Sequence, residues 1–452
     1  MSDGKKDNAP KTTGLSIENL LKMLAASSVA DENAPPKSME EYKFWKTQPV
    51  VKFDQEVDVE GPIENKTVDQ VPKEPYPLRD DFEWATIDIT DPAQLQEVYE
   101  LLYNNYIEDD DATFRFKYSP AFLSWGMKCP GFNPEWSVGV RVKETKKLVG
   151  FISGIPAKLR VRDNIVQTAE INFLNVHKKL RSKRLAPLLI REVTRRINLT
   201  GVWQALYTAG AILPSPISTC RYYHRSLDWP KLYEVGFSPL PIGSTPAKQV
   251  AKYALPAKPT LDSLRRMTKA DVPQVKKLLD KYLGRFDISP VYTEEDLEHW
   301  LVNSSSKDEK EVVYAYVVEK DGQITDLVSF YILESTVLGN AKYDSIKVAY
   351  AFYYATDVAF NLEEGDSKPL KNRLQTLFQN ALIFAKNLEC DVFNALSLQD
   401  NALFLDDLKF GPGDGYLHYY LFNYRAFPIY GGLNETKEAT FKPNQGVGVV
   451  ML

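Results

Sequence analysis

Residues 167–196 read QTAEINFLNVHKKLRSKRLAPLLIREVTRR, and their pattern changes period part-way along. Gln167 to Val176 suit a pleated, half-buried strand. From there Leu185, Leu188, Leu189, Val193 and Ile197 fall on one face at helical spacing. A strand therefore feeds a helix, and the turn between them is crowded with cations: His177 to Arg196 hold eight Lys or Arg against one Glu. On charge alone such a run is an ordinary solvated helix face. Its position gives it a second reading, because unpaired backbone N–H groups and the positive helix end add to the side-chain charge. That combination suits a phosphate or pyrophosphate.

Outward from this unit the same alternation continues. SVGVRV, LVGFISGI and KLRVRD precede it as expected strands of a mostly antiparallel sheet, from Trp84 to about Phe237. QALYTAG follows as a strand, and STCRYYHRSL reads as a helix. A Pro- and Ala-rich linker, Leu255 to Pro259, then precedes a loose repeat of the element order. VPQVKKLLDKYL reads as a helix, EVVYAYVVEK, DLVSFYIL and VAYAFYYATD as strands, LQTLFQNALIFAK as a helix and DVFNALS as a strand. The two halves share element order without a demonstrable sequence period. Residues 1–41 are polar and small-residue-rich, a mobile arm with one amphipathic turn at Leu20, Leu21 and Leu24. From Tyr42 to about Pro77 a Pro-rich extended stretch is expected to wrap a surface.

The 452 residues carry 55 Lys plus Arg against 60 Asp plus Glu, a net charge of −5, with 44% hydrophobic and 25% charged residues. This excludes a fibrous or wholly disordered chain and argues against bulk nucleic-acid binding. Cys129, Cys220 and Cys390, odd in number and far apart, favour a reducing compartment. No secretory signal is legible, and the longest uncharged stretch, Ile197 to Cys220, contains Asn198, Gln204, Pro214 and Pro216. The expectation is a soluble cytoplasmic protein. His177, His224, His299 and His418 lack metal spacing, so no metal site is expected. Cys220 lies four residues before His224 on the expected helix STCRYYHRSL, a spacing that places both on one face.

The hexad Arg181-Ser182-Lys183-Arg184-Leu185-Ala186 resembles the pyrophosphate loop of the GNAT acyl-CoA transferases, with Arg184 and Ala186 in place of glycines. Glu170 to Lys179, EINFLNVHKK, is similar to the signature of eukaryotic N-myristoyltransferases (glycylpeptide N-tetradecanoyltransferases), with Asn175 at the usual Cys. KFGPGDG, Lys409 to Gly415, matches a second signature of that family, and GVGVVML, Gly446 to Leu452, resembles its tail. YKFWKTQPV, EDDDATFRF, YTAG, CRYYHRSL and DVFNAL match in the same order. The resemblance spans residues 42–452, most closely with fungal members.

It implies an α/β fold of two tandem GNAT-like halves forming one pseudo-twofold, saddle-shaped mixed sheet flanked by helices. Residues 42–250 would bind myristoyl-CoA. Residues 251–452 would bind peptide and insert the C-terminus into the active site. The implied reaction moves a C14 acyl group from myristoyl-CoA, a co-substrate, to the N-terminal glycine amine of a protein. No cofactor, nucleic acid or stable membrane insertion is implied, and the enzyme is expected to be a monomer.

The resemblance also implies roles. Backbone N–H groups of Phe173 and Leu174 would form the oxyanion hole, as amides at a disrupted strand end. Asn172 and Thr208 would orient the amine. Acyl-CoA would be held by Tyr42, Lys43, Phe44 and Trp45, by Ile171 to Leu174, and by Lys179, Leu180, Arg181, Ser182, Lys183, Arg184, Leu185, Ala186 and Pro187. Peptide would meet Asp109, Asp110 and Asp111 in a lid, with Phe114, Phe116 and Tyr118 beside it. Tyr222, His224, Tyr353, Asn394, Leu396, Asp414 and Gly415 would line the groove. The terminal carboxylate of Leu452 would be the general base. Read without the resemblance, VGVVML is simply a buried final strand. Proton transfer from an α-amine (pKa about 8) to an α-carboxylate (about 3.5) is uphill by roughly 6 kcal/mol in water, and apolar burial beside Val449, Val450 and Met451 shrinks that gap. Two other readings keep the same scaffold: a GNAT acetyltransferase with a short acyl pocket, and a non-catalytic acyl-CoA-binding module.

Overall fold

The computed structural model describes residues 38–106, 114–302 and 311–452. The arm before Ser38 and the acidic segment with Asp109, Asp110 and Asp111 lie outside the described residues. The strands are β1 (Gly61–Pro62), β2 (Phe82–Thr86), β3 (Phe114–Lys117), β4 (Ser137–Val142), β5 (Leu148–Val161), β6 (Asn164–Val176), β7 (Gln204–Ala209) and β8 (Ser218–Ser226). The second half adds β9 (Leu264–Arg266), β10 (Ile288–Pro290), β11 (Val313–Lys320), β12 (Gln323–Val337), β13 (Ser345–Thr356), β14 (Val392–Leu396), β15 (Gly411–Phe422) and β16 (Tyr424–Arg425). The helices that matter are α1 (Pro92–Asn105), α2 (Pro120–Met127), α3 (Leu185–Asn198), α4 (Val272–Leu283) and α5 (Lys368–Asn387).

One 14-stranded sheet runs β2-β4-β5-β6-β7-β15-β8-β14-β13-β12-β11-β9. Its only parallel neighbours among the described residues are β6–β7 and β13–β14, the two pairs whose connections carry the long helices α3 and α5. A parallel pair needs such a crossover, whereas antiparallel neighbours close through short turns. The element order thus repeats, as the sequence suggests, and the two halves form one sheet. Each half also lends strands to the other: β8 sits between β15 and β14, β15 sits between β7 and β8, β3 pairs with β12, and β10 pairs with β5.

α3 buries Leu185, Leu189, Val193 and Ile197 against Val138, Val140, Val149 and Ile152. Each fully buried aliphatic side chain contributes about 1.5–3 kcal/mol, so this stripe fixes where the basic turn before α3 lies. The Tyr42–Pro77 stretch does wrap the surface. Tyr42 Oη donates to Ile212 O (2.9 Å), Tyr76 N–H reaches Glu192 Oε2 (3.4 Å), and Glu64 N–H reaches Asn423 Oδ1 (2.7 Å).

Three local expectations are corrected. STCRYYHRSL is strand β8, not a helix, because its aromatic run is paired on both sides in the middle of the sheet. LVGFISGI and KLRVRD are one strand, β5, which passes through Pro156 opposite Ala169 without a turn. The tail is not a sheet strand: it makes only an isolated bridge, Val447 to Ile288.

Candidate active site

The site begins with a defect in a strand. The β5–β6 register runs Phe151–Asn175 and then Ser153–Asn172, so Phe173 and Leu174 together oppose the single residue Ile152. Phe173 takes φ +57°, a left-handed conformation that is costly for a bulky residue. The oxyanion pair expected at a strand end therefore sits in a β-bulge inside one, a device that re-aims backbone groups. The Phe173 ring, 3% exposed, holds the distortion by packing edge-on to Tyr118 at 5.4 Å. Nearby, the β6–β7 pairing ends at Glu170–Leu206, so the bulge lies where the two strands have ceased to pair.

The basic turn follows. Lys178–Lys183 form a single 3-10 segment, and Arg184 then takes φ +57° before α3 starts. The usual glycine of the resembled loop is intelligible here, since the position is left-handed. Arg181, Ser182, Lys183 and Arg184 are all exposed, Lys179 with them, while Leu185 is buried and Leu180, Ala186 and Pro187 are half-buried. The end of α1 braces the turn: Lys178 N–H donates to Asn105 Oδ1 (3.1 Å), and the Arg181 guanidinium donates to Asn105 O. Asn175 donates to Leu101 O (3.0 Å) and so ties the bulged strand to α1.

Trp45 stacks on Tyr207 (5.5 Å, 8°), and Tyr207 stacks on Tyr420 (5.0 Å, 13°). The Arg191 guanidinium lies 5.8 Å over the Phe44 ring. Tyr42, Phe44 and Trp45 are half-buried and Lys43 is exposed.

The chain end comes to the bulge. A Cβ on Gly126 in α2 would lie 3.1 Å from Leu452 Cδ1 and 3.8 Å from Phe173 Cζ, so both side chains crowd the same glycine. Val447, Val449, Val450 and Met451 before it are buried. Glu170 and Asn172 are joined, Asn172 Nδ2 donating to Glu170 Oε1 at 2.7 Å. Burial pushes the Glu170 carboxyl up to about 7, the bond from Asn172 offsetting part of the effect. Thr208 pairs with Tyr419 in register and therefore faces the same side of the sheet, the side on which the Tyr419 hydroxyl holds Val449 O.

Among the groove residues, His224 Nδ1 meets Asn394 Oδ1 at 2.6 Å, and the two occupy opposed positions on β8 and β14. Burial pushes His224 down to about 4, so its imidazole is neutral. His224 Nε2 and Asn394 Nδ2 are buried with no hydrogen-bond partner among the described residues. Tyr222 and Leu396 are in register across the same two strands. Phe114, Phe116 and Tyr118 are buried on β3 and just after it, Asp414 is exposed and Gly415 buried on β15. Tyr353 is placed differently: only 1% exposed, its hydroxyl accepts Val450 N–H at 3.1 Å, in the tail.

Sequence reasoning left Glu170, Tyr207, Tyr292, Gln399 and Tyr419 without a role. Only Glu170, a carboxylate amid AEINFLNV, and Tyr207, the first residue of YTAG, carried a local signal. Cys220 is no nucleophile candidate in this setting, since burial pushes its thiol up to about 12. No helix among the described residues is long and apolar enough to cross a membrane.

With this geometry in view, the comparisons are consistent with one another. Residues 62–220 match the family model of the myristoyl-CoA:protein N-myristoyltransferase N-terminal domain, and residues 234–450 match that of its C-terminal domain. The chain is 52% identical over 449 residues to the glycylpeptide N-tetradecanoyltransferase of Candida glabrata, covering 96% of this chain and 99% of the relative. It is 50% identical over 448 residues to that of Saccharomyces cerevisiae, covering 96% and 98%. A crystal structure of Saccharomyces cerevisiae N-myristoyltransferase with bound myristoyl-CoA superposes with a TM-score of 0.88 at 51% identity, covering 92% of this chain and all of that one. The chain belongs to the myristoyl-CoA:protein N-myristoyltransferase family.

Proposed function

We propose that the chain transfers the myristoyl group of myristoyl-CoA to the N-terminal glycine amine of proteins by direct addition and elimination. The observation that carries the reading is the meeting of Leu452 with Phe173 at Gly126, which brings the chain end to the bulged strand. In the proposed step the glycine ammonium gives a proton to the Leu452 carboxylate, and the freed amine attacks the thioester carbonyl carbon. The oxyanion takes hydrogen bonds from the backbone N–H groups of Phe173 and Leu174. Collapse breaks the C–S bond, the amine nitrogen loses its second proton, and the departing sulfur leaves as the CoA thiol. Asn172 and Thr208 orient the amine, with Asn172 itself held by Glu170.

Ser182, Lys183 and Arg184 hold the pyrophosphate, aided by the N-terminus of α3. Tyr42 to Trp45 cover the adenine and pantetheine. Tyr222, His224, Asn394, Leu396, Asp414 and Gly415 receive the peptide, with Phe114, Phe116 and Tyr118 beside it. Myristoyl-CoA is a co-substrate, and the chemistry proposed calls on no metal or prosthetic group. We place the reaction in the cytoplasm, carried out by a monomer.

The test follows free thiol after mixing protein with acyl-CoA and a Gly-initiated peptide. Release with myristoyl-CoA, absent when the peptide begins with Ala, is expected. Release with acetyl-CoA instead would select an acetyltransferase, and tight myristoyl-CoA binding without release would select a binding module. Deleting Leu452, or adding one residue after it, is expected to cut turnover by at least about 100-fold while acyl-CoA affinity stays within twofold. Full turnover in either variant would remove the carboxylate from the mechanism.

A further inference from the structure

The tail that ends in Leu452 is held peptide group by peptide group. Gly446 N–H donates to Asp287 Oδ2 (2.6 Å), and Asp287 N–H donates back to Gly446 O (2.9 Å). Gln399 N–H donates to Val447 O (2.9 Å), and Gly448 N–H donates to Ile288 O (2.7 Å). These are backbone or carboxylate contacts early in the tail, to which the buried Gln399 side-chain amide adds a longer bond to Gly448 O (3.3 Å). The last two contacts differ in kind, because both are made by buried phenols. Tyr419 Oη donates to Val449 O (3.1 Å), and Tyr353 Oη accepts Val450 N–H (3.1 Å). Tyr353 is fixed in turn by the Tyr292 hydroxyl at 3.1 Å, with the two rings edge-on at 86°.

A hydroxyl this deeply buried costs free energy unless it is bonded, and phenylalanine would fill the same space without that cost. The oxygens are therefore spent on the tail. Extended chain advances about 3.3 Å per residue, so a slip of one residue would carry the terminal carboxylate out of hydrogen-bond range of an amine at the bulge. Gly448 cannot absorb a slip sideways, since a Cβ there would already sit 2.9 Å from Phe286 Cδ2 and 3.0 Å from Ile288 O. We propose that Tyr353 and Tyr419 are positioning residues that set the depth of the chain end, so that Tyr353 acts through Val450 instead of on the peptide. The inference rests on the reading above that the Leu452 carboxylate takes the amine proton.

The experiment is a double-mutant comparison in single-turnover rates. Y353F and Y419F, each checked for an unchanged thermal transition, are expected to slow the chemical step about tenfold with the peptide and acyl-CoA KM values within twofold. In the variant lacking Leu452 the same substitutions are expected to have no further effect, because the terminal carboxylate, now on Met451, already falls one residue short of the amine. Independent losses that multiply in the double variant would overturn the positioning role while leaving the carboxylate mechanism standing. A raised peptide KM at unchanged rate would also overturn it, returning Tyr353 to the groove. Full activity of the variant lacking Leu452 would instead sink the base itself, a result separable from either of these.

Discussion

Glu170 shows how one side chain can serve a site and tax a fold. Its carboxyl accepts from Asn172 at 2.7 Å, and burial raises it to about 7 from an ordinary 4.5. The folded protein therefore holds a proton there between about pH 4.5 and 7 that the unfolded chain releases. Stability from this group is full below 4.5 and is lost as pH rises through 7. The cost at pH 8 is up to about 3 kcal/mol, less what residual water contact screens. His224 and His418 act oppositely: burial lowers both to about 4, so their contribution is present above 6.5 and lost as pH falls through 4. E170Q is thus expected to raise the urea midpoint relative to wild type at pH 8 and to give little gain at pH 4.5, leaving the histidine slope exposed. An equal difference at both pH values would show that the carboxyl stays ionised in the fold.

At the scale of elements, the turn into α3 and the bulge in β6 share a device: a bulky residue at φ +57°, Arg184 in one and Phe173 in the other. Left-handed backbone costs a non-glycine residue about 1 kcal/mol. For Arg184 this gives a sharp prediction. R184G should stabilise the protein by about 1 kcal/mol in thermal unfolding while weakening acyl-CoA binding about five- to tenfold at low salt, through loss of one exposed cation. Unchanged affinity would take Arg184 out of the pyrophosphate site. The helix itself was legible, because its buried stripe of Leu185, Leu189, Val193 and Ile197 is written in local spacing. The bulge itself was not legible: the resemblance implied only amides at a disrupted strand end, and EINFLNV alternates too poorly to reveal one extra residue. β8 was misread because CRYYHR has no clean period of two, and its pairing with β14 and β15 overrides local preference. The hold of these hydroxyls on the tail could not be read: Tyr353, which the resemblance implied for the groove, and Tyr419 lie 97 and 30 residues from their partners. Nothing near either tyrosine in sequence marks it.

At the scale of the molecule, the two halves repeat an order of elements but are not separable bodies. The first half gives β3 to β12 and β8 to β14. The second gives β10 to β5 and β15 to β7. Their cores also mesh, with Trp125 edge-on to Trp300 at 5.2 Å. Cutting the chain at 250 would leave β7 without its antiparallel neighbour and strip β14 of β8, exposing unpaired strand edges on both fragments. It would also remove the site, because Phe173 and Leu452 come from opposite halves. Residues 42–250 and 251–452 expressed singly are therefore expected to lack a cooperative thermal transition and to aggregate, whereas the intact chain should lose near-UV and far-UV circular dichroism together. Co-expression should recover some myristoyl-CoA-dependent thiol release if the exchanged strands can find their places. A fragment that stays monomeric and melts sharply by itself would mean that the exchanged strands add little, and that each half's own helix-covered sheet is enough to hold it.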